Sequence, residues 1–446
     1  MGMSKSFRDW HLDQDLLFPP SVQDFVPAGH LARFVVGLVR DDLDLSAIYA
    51  GYSGEKGQPP YHPAMMTALL LYGYAVGVYS SRRIARACGE RVDFMSIVAL
   101  DAPDFRTVSD FRKRHLKALE GLFVQVLKLC ERAGLVRLGH VALDGTKVRA
   151  NASKHKAMSY GRMAEREKEL AAEVRGWLKA AETADAEEDR LYGADNRGDE
   201  LPAWVADKQK RLEKIREAKA ALEAEARAAA GKELGAAAAE DKRKAEGRKK
   251  PGRKAKPPSG EPEAKAQRNF TDPESRVMLA RDGFIQGYNA QAAVDSTAQV
   301  IVAHGLVASQ SDHDQLTALL DGIEANLGRM PREASADSGF CSEANLAVLD
   351  ERGIAGYVAV ARAKHPDKAK RKLLGPLTLT MQKKLKRAGR RTRYRLRKQV
   401  VEPVFGQIKQ ARGFRQFLLR GIDKVRGEWA MLCTAHNLLK LAKPAS

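Results

Sequence analysis

Three carboxylates stand out by their surroundings. Asp144 lies in Val141-Ala142-Leu143-Asp144-Gly145-Thr146-Lys147-Val148 and Asp337 in Ser335-Ala336-Asp337-Ser338-Gly339-Phe340. Glu402 is nearly alone in a basic stretch. They are 193 and 65 residues apart, so only a fold can unite them. Carboxylates suit Mg²⁺, which keeps several waters and takes few protein ligands. Two such ions about 4 Å apart activate a water and stabilise the leaving oxygen in phosphodiester displacement. Residues 361–420 hold 20 Lys or Arg against Asp367 and Glu402, so +18 of the formal +20 sits there. A field of that size points to a polyanion, most commonly nucleic acid. A surface that only gripped backbone phosphates has no use for Glu402. Each acid also has a structural reading: Asp144 as the turn residue of Asp-Gly, Asp337 as a cap or turn residue, Glu402 as an ion-pair partner of Lys398 four residues earlier.

The elements that must position these acids follow from residue patterning. Residues 141–148 read as a strand that ends or bends at Asp144-Gly145. Further strands are expected over 276–280, 287–295 and 299–307, with a turn at Ser296-Thr297. Ser311-Asp312 caps a helix to 327; a strand over 333–337, a helix over 342–352 and a strand over 356–360 follow. A helix surrounds Glu402, and the last runs over 423–441. This order predicts a mixed sheet flanked by helices, an α/β domain in which strand ends form a crevice. The first strand is cut off from the rest by a polar intrusion over 154–267. Its stripes Leu170, Val174, Trp177 and Leu212, Ile215, Leu222, Ala226 (broken by Lys219) predict a helical hairpin turning near 193–199. Residues 241–265, rich in Lys, Arg, Pro and Gly, are expected to be disordered.

Residues 1–135 read as all-helical. The charge-free run 63–79 is expected to be a buried helix rather than a membrane span, because Gly73 and Gly77 break it. Ser80 caps a short basic helix through Arg82, Arg83 and Arg86, closed by Gly89. Ser109 or Asp110 is expected to cap the next, which carries Arg112, Lys113 and Arg114. These cations fit either a solvated helix face or a DNA contact. Cys88, Cys130, Cys341 and Cys433 form no CxxC pair, which argues against a zinc ribbon or disulfide scaffold and for a reducing cytosol. The first fifteen residues carry no apolar signal core. Ser311-Asp312-His313-Asp314 and His304 read more simply as a helix start and a lone histidine than as metal ligands, and no P-loop is present.

The blocks around Asp144 and Asp337, together with Val401-Glu402-Pro403-Val404-Phe405-Gly406-Gln407-Ile408-Lys409, resemble the three blocks of bacterial insertion-sequence transposases of the DDE type. Arg106 to His115, Tyr61-His62-Pro63 and Ser80 to Ile84 resemble the InsH-type N-terminal domain of that group. Arg426-Gly427-Glu428-Trp429 and Ala435-His436-Asn437-Leu438 resemble its closing helix. The resemblance implies a ribonuclease-H-like catalytic domain in two parts, 136–153 and 268–446, after a DNA-binding domain over 1–135. It implies that Asp144, Asp337 and Glu402 bind two Mg²⁺ or Mn²⁺ ions. It also implies that double-stranded DNA, as element ends and target, is cut and joined, by a homo-oligomer such as a dimer in the cytoplasm at the nucleoid. The family's last block places Tyr, Arg and Lys seven before, four before and seven after the glutamate. Here those positions hold Arg395, Lys398 and Lys409, with Tyr394 next to the first, and they join the expected DNA contacts. The rival readings are a ribonuclease-H-like nuclease that does not join, and an inactive DNA-binding derivative.

Overall fold

The computed structural model describes residues 21–52, 59–192, 203–245, 260–280, 283–360, 375–388 and 393–442. Two units emerge: Met1–Val136 with Ala430–Ser446, and Arg137–Trp429. Residues from 430 onward, expected in the catalytic part, therefore group with the helical unit.

The helical unit contains α1 (Leu31–Gly37), α2 (Ser46–Tyr49), α3 (Pro63–Ala75), α4 (Ser81–Glu90), α5 (Val92–Val98), α6 (Phe105–Arg114) and α7 (Leu116–Arg132). Helix α3 starts with proline at its first position, where the missing N–H costs nothing, and His62 caps it by accepting from the Ala64 N–H. All of its residues but Met65 are buried. No described helix is long and apolar enough to cross a membrane. Ser80 caps α4 by accepting from the Arg83 N–H at 3.2 Å. Ile84, Ala87 and Cys88 face inward, which leaves Arg82, Arg83 and Arg86 exposed.

Two expectations fail in α6. Its cap is Asp104, which accepts from the N–H groups of Arg106 and Thr107, so Ser109 and Asp110 lie inside a helix already under way. Arg112 is not a surface cation. It is buried, donating to the Tyr74 hydroxyl, the Tyr79 carbonyl and Ser81 Oγ at 3.1–3.3 Å. Lys113 and Arg114 remain exposed. Removing a buried partner leaves desolvated polar groups, at about 1–3 kcal/mol each. Arg112→Ala is therefore expected to lower the thermal midpoint by several degrees, whereas Arg114→Ala stays within about 0.5 kcal/mol of the parent in the same calorimetric scan.

The second unit opens with β1 (His140–Arg149). The insertion follows: β2 (Ala157–Ser159), α8 (Tyr160–Tyr192), α9 (Ala203–Ala245) and β3 (Gln267–Asn269). Strands β2 and β3 pair at its root. Leu170, Leu212, Ile215 and Leu222 meet in one apolar cluster. Lys219, the polar break in the stripe, pairs with Glu167 across the hairpin at 3.1 Å. Helix α9 continues to Ala245, so 241–245 are helical. The turn near 193–199, most of the remainder of 241–265, residues 1–15 and residues 361–374 of the basic segment lie outside the described residues.

The chain then forms β4 (Arg276–Ala280), β5 (Gly283–Asp295), β6 (Ile301–Val307), α10 (Gln315–Leu327), β7 (Glu333–Ala336), α11 (Glu343–Glu351), β8 (Ala355–Val358), α12 (Pro376–Ala388), α13 (Leu396–Gly406) and α14 (Ile422–Leu441). Helix α12, inside the basic segment, was not legible beforehand. The sheet runs β4-β5-β1-β7-β8, with β6 also on β5. Strand β5 is antiparallel to β1, β4 and β6, while β7 and β8 run parallel to β1. This mixed order, flanked by helices and interrupted by a helical insertion, is a ribonuclease-H-like fold. Strand β1 does not end at Asp144-Gly145. It continues to Arg149 because β5 pairs with it along its whole second half.

Candidate active site

The register of β1 and β7 fixes two of the acids. Their parallel pairing stops at Leu143↔Ala336, so Asp144 and Asp337 are the next residues on adjacent strands. The Asp337 carboxylate accepts from the Gly339 N–H at 2.8 Å and caps the single turn 338–340. Asp144 accepts from the Gly145 N–H at 2.9 Å. Glycine at 145 serves close approach rather than a turn. A Cβ there would lie 2.5 Å from Gln291 Nε2, 2.7 Å from Asp312 Oδ1 and 2.9 Å from Asn289 Oδ1.

Glu402 arrives on α13, where Pro403 cannot donate to the Gln399 carbonyl. Gln299 supplies the missing donor through its side-chain amide at 2.9 Å, and Gln407 in turn donates to Gln299 at 3.2 Å. This link from the β5–β6 turn seats α13 against the sheet. Pro403 sits inside the helix.

Arg397 joins the acids. Its Nη1 contacts Asp144 at 2.6 Å and its Nη2 contacts Glu402 at 3.0 Å. Glu402 thus pairs with Arg397 rather than Lys398, which is exposed. The sequence pointed to Arg395 and Lys398 and missed Arg397. The available signal was the Tyr394-x-x-Arg397 spacing, which keeps the family's Tyr-to-Arg interval one residue further from the glutamate. Lys409 donates to Thr146 Oγ1 at 2.5 Å and to the Lys147 carbonyl at 2.7 Å. Asp312 was also missed. It does not cap α10, whose N-cap residue is Asp314, but turns inward to Asn289 and Gln291. Beside the acids opens a cleft of about 560 Å³ lined by Asp312 and Asp337 and by Lys147, Arg149, Lys409 and Arg415.

The donor set suits a hard divalent cation, being carboxylate oxygens around a spot that already holds a guanidinium. Among the described residues no three acids, histidines or cysteines converge closely enough for one ion. Arg397 meets its two acids through different nitrogens.

The sheet order is that of a ribonuclease-H-like domain. Comparison with known families agrees: residues 20–114 match a transposase domain (DUF772) and residues 266–438 match a transposase DDE domain. The chain belongs with the DDE transposases of insertion sequences, which act in DNA transposition and generally use a divalent metal. The second match begins at residue 266, at the end of the insertion, so the strand carrying Asp144 precedes it. No curated protein and no solved structure matches the chain.

Burial pushes the Asp144 carboxyl up to about 6; Arg397 opposes the rise, and Asp337 and Asp312 add to it. An acid whose pKa is higher in the folded than in the unfolded chain favours folding while protonated. That contribution is complete below about pH 4 and is lost as the pH climbs through about 6. Metal-free Asp144→Asn is therefore expected to melt above the parent at about pH 8, with the gap closing toward about pH 4. A gap constant across that range contradicts the account.

Proposed function

We propose that the chain binds the terminal repeats of an insertion sequence, cuts DNA at the element ends and joins them to a target. The observation that carries this is the adjacency of Asp144 and Asp337 at the end of a parallel strand pair, beside a cleft lined with four cations. Asp144, Asp337 and Glu402 would hold two Mg²⁺ or Mn²⁺ ions, with Arg397 as the counter-charge of Asp144 and Glu402 in their absence. Bound there, the ions supply Lewis-acid activation of the attacking oxygen and neutralise the leaving one. Lys147, Arg149, Lys409 and Arg415 hold the flanking phosphates, and Arg395 and Lys398 extend that surface. Water attacks the phosphorus at the element end and the 3′-oxygen leaves. The freed 3′-hydroxyl then attacks a target phosphodiester, displacing its 3′-oxygen, with no covalent protein intermediate.

The helical unit would grip the repeats through Arg82, Arg83, Arg86, Lys113 and Arg114. Arg82 on α4 lies over the Phe105 ring of α6 at 5.1 Å, which makes the two basic faces neighbours. A dimer, one copy at each element end, completes the reading.

Asp144→Asn, Asp337→Asn and Glu402→Gln are each expected to cut cleavage and joining of a pre-cut end at least about a hundredfold while retaining DNA binding. Any one variant that cuts and joins at the parent rate overturns the assignment of that acid, and cutting without joining favours a plain nuclease. In a salt titration of repeat binding, five phosphate contacts predict a slope of log K against log salt near −4.5. Arg82→Ala or Lys113→Ala should lower its magnitude by about one. A salt-insensitive affinity contradicts the basic face as a DNA surface.

A further inference from the structure

We infer that Asp312 is a positioning residue of the acidic site, setting its affinity for a divalent cation from behind Asp144 and Asp337. The inference rests on the proposed reading of that site. Asp312 sits in the turn before α10, and its side chain is only 12% exposed. Two amides of β5 hold it: Asn289 Nδ2 donates at 2.7 Å and Gln291 Nε2 at 2.6 Å, both to Oδ1. Both amide residues are fully buried. The Gln291 backbone is anchored in turn by the Trp429 indole, which donates to its carbonyl at 3.1 Å. The other oxygen, Oδ2, faces Lys147 Nζ at 3.6 Å.

The place of this assembly argues for more than a helix start. Gln291 and Asn289 stand opposite Gly145 and Lys147 in the β1–β5 register, so the amides lie directly across from the residue after Asp144. A Cβ on Gly339 would meet Asp337 Oδ1 at 3.0 Å and Asp312 Oδ2 at 3.1 Å, so the two carboxylates face one small space. The Asn289 and Gln291 side-chain oxygens are buried with no hydrogen-bond partner among the described residues. That of Asn289 would lie 2.9 Å from a Cβ at Gly145. Leaving such oxygens unpaired is costly and makes sense where a polar group or hydrated cation completes the site. A chain that needed only a helix cap could use Ser311 on the surface. Here a charge has been fixed by two fully buried donors from one strand.

Groups that orient the ligands of a metal typically change its affinity 10–100-fold when altered. Mn²⁺ binding to the full chain without DNA, read by electron paramagnetic resonance, tests the inference. Asp312→Asn is expected to weaken Mn²⁺ about 10–100-fold. The control Asp321→Asn, a surface acid of α10 paired with Arg352, removes the same charge and should leave Mn²⁺ affinity within twofold. Where Asp312→Asn does not fold, Asp312→Glu keeps the charge but moves it by one methylene, and weakened Mn²⁺ binding is expected there too. If Asp144→Asn weakens Mn²⁺ and the Asp312 variants do not, Asp312 is structural and this inference alone falls. If Asp144→Asn leaves Mn²⁺ unchanged, the metal site itself is wrong and the inference falls with it.

Discussion

Adjacent parallel strands deliver Asp144 and Asp337 side by side, and burying negative charge in that way demands a cation. This electrostatic constraint organises the second unit. In the metal-free chain Arg397 meets part of the demand by bridging Asp144 to Glu402. The remainder shows in the Asp144 carboxyl, which stays protonated to an unusually high pH. The crevice sets these acids beside the cations Lys147, Arg149, Lys409 and Arg415.

The supporting structure keeps that arrangement stiff. Gln299 satisfies the carbonyl that Pro403 leaves open, so α13 can carry a proline beside the acid it presents. Glu428, fully buried, accepts from the Leu418 and Leu419 N–H groups and fixes the loop after α13. The next residue, Trp429, fastens β5. Glu428 and Trp429 of the Arg-Gly-Glu-Trp motif therefore tie the end of the basic segment to the central sheet. The insertion between β1 and β4 has its own apolar cluster and cross-hairpin ion pairs. Arg276 of β4 pairs with Glu225 of α9 and ties the insertion to the sheet.

Much of this was legible in the residue pattern. The alternation of apolar strands with capped helices marked the sheet, and heptad-like stripes marked the hairpin, because both signals come from burial on one face. What could not be read were contacts made across long sequence separations. Asp-Gly looks like a turn, but at Asp144-Gly145 the glycine makes room for Gln291 and Asp312 from strand and loop over a hundred residues away. Asp312 looks like a helix cap until the Asn289–Gln291 pair, two apart on one strand face, is seen to point at it. Arg112 has the composition of a DNA contact, yet three acceptors from α3, the loop after it and α4 draw it inside. Arg397 was masked by counting from the glutamate, whereas its interval from Tyr394 keeps the family spacing.

The central claim is that the space now bridged by Arg397 belongs to divalent cations. A crystal of the full chain soaked in Mn²⁺, with data collected at the manganese absorption edge, addresses it directly. The account predicts anomalous peaks against the Asp144 and Asp337 carboxylates, with the Arg397–Asp144 ion pair broken. Peaks confined to other acids, or none with that ion pair intact, would contradict it.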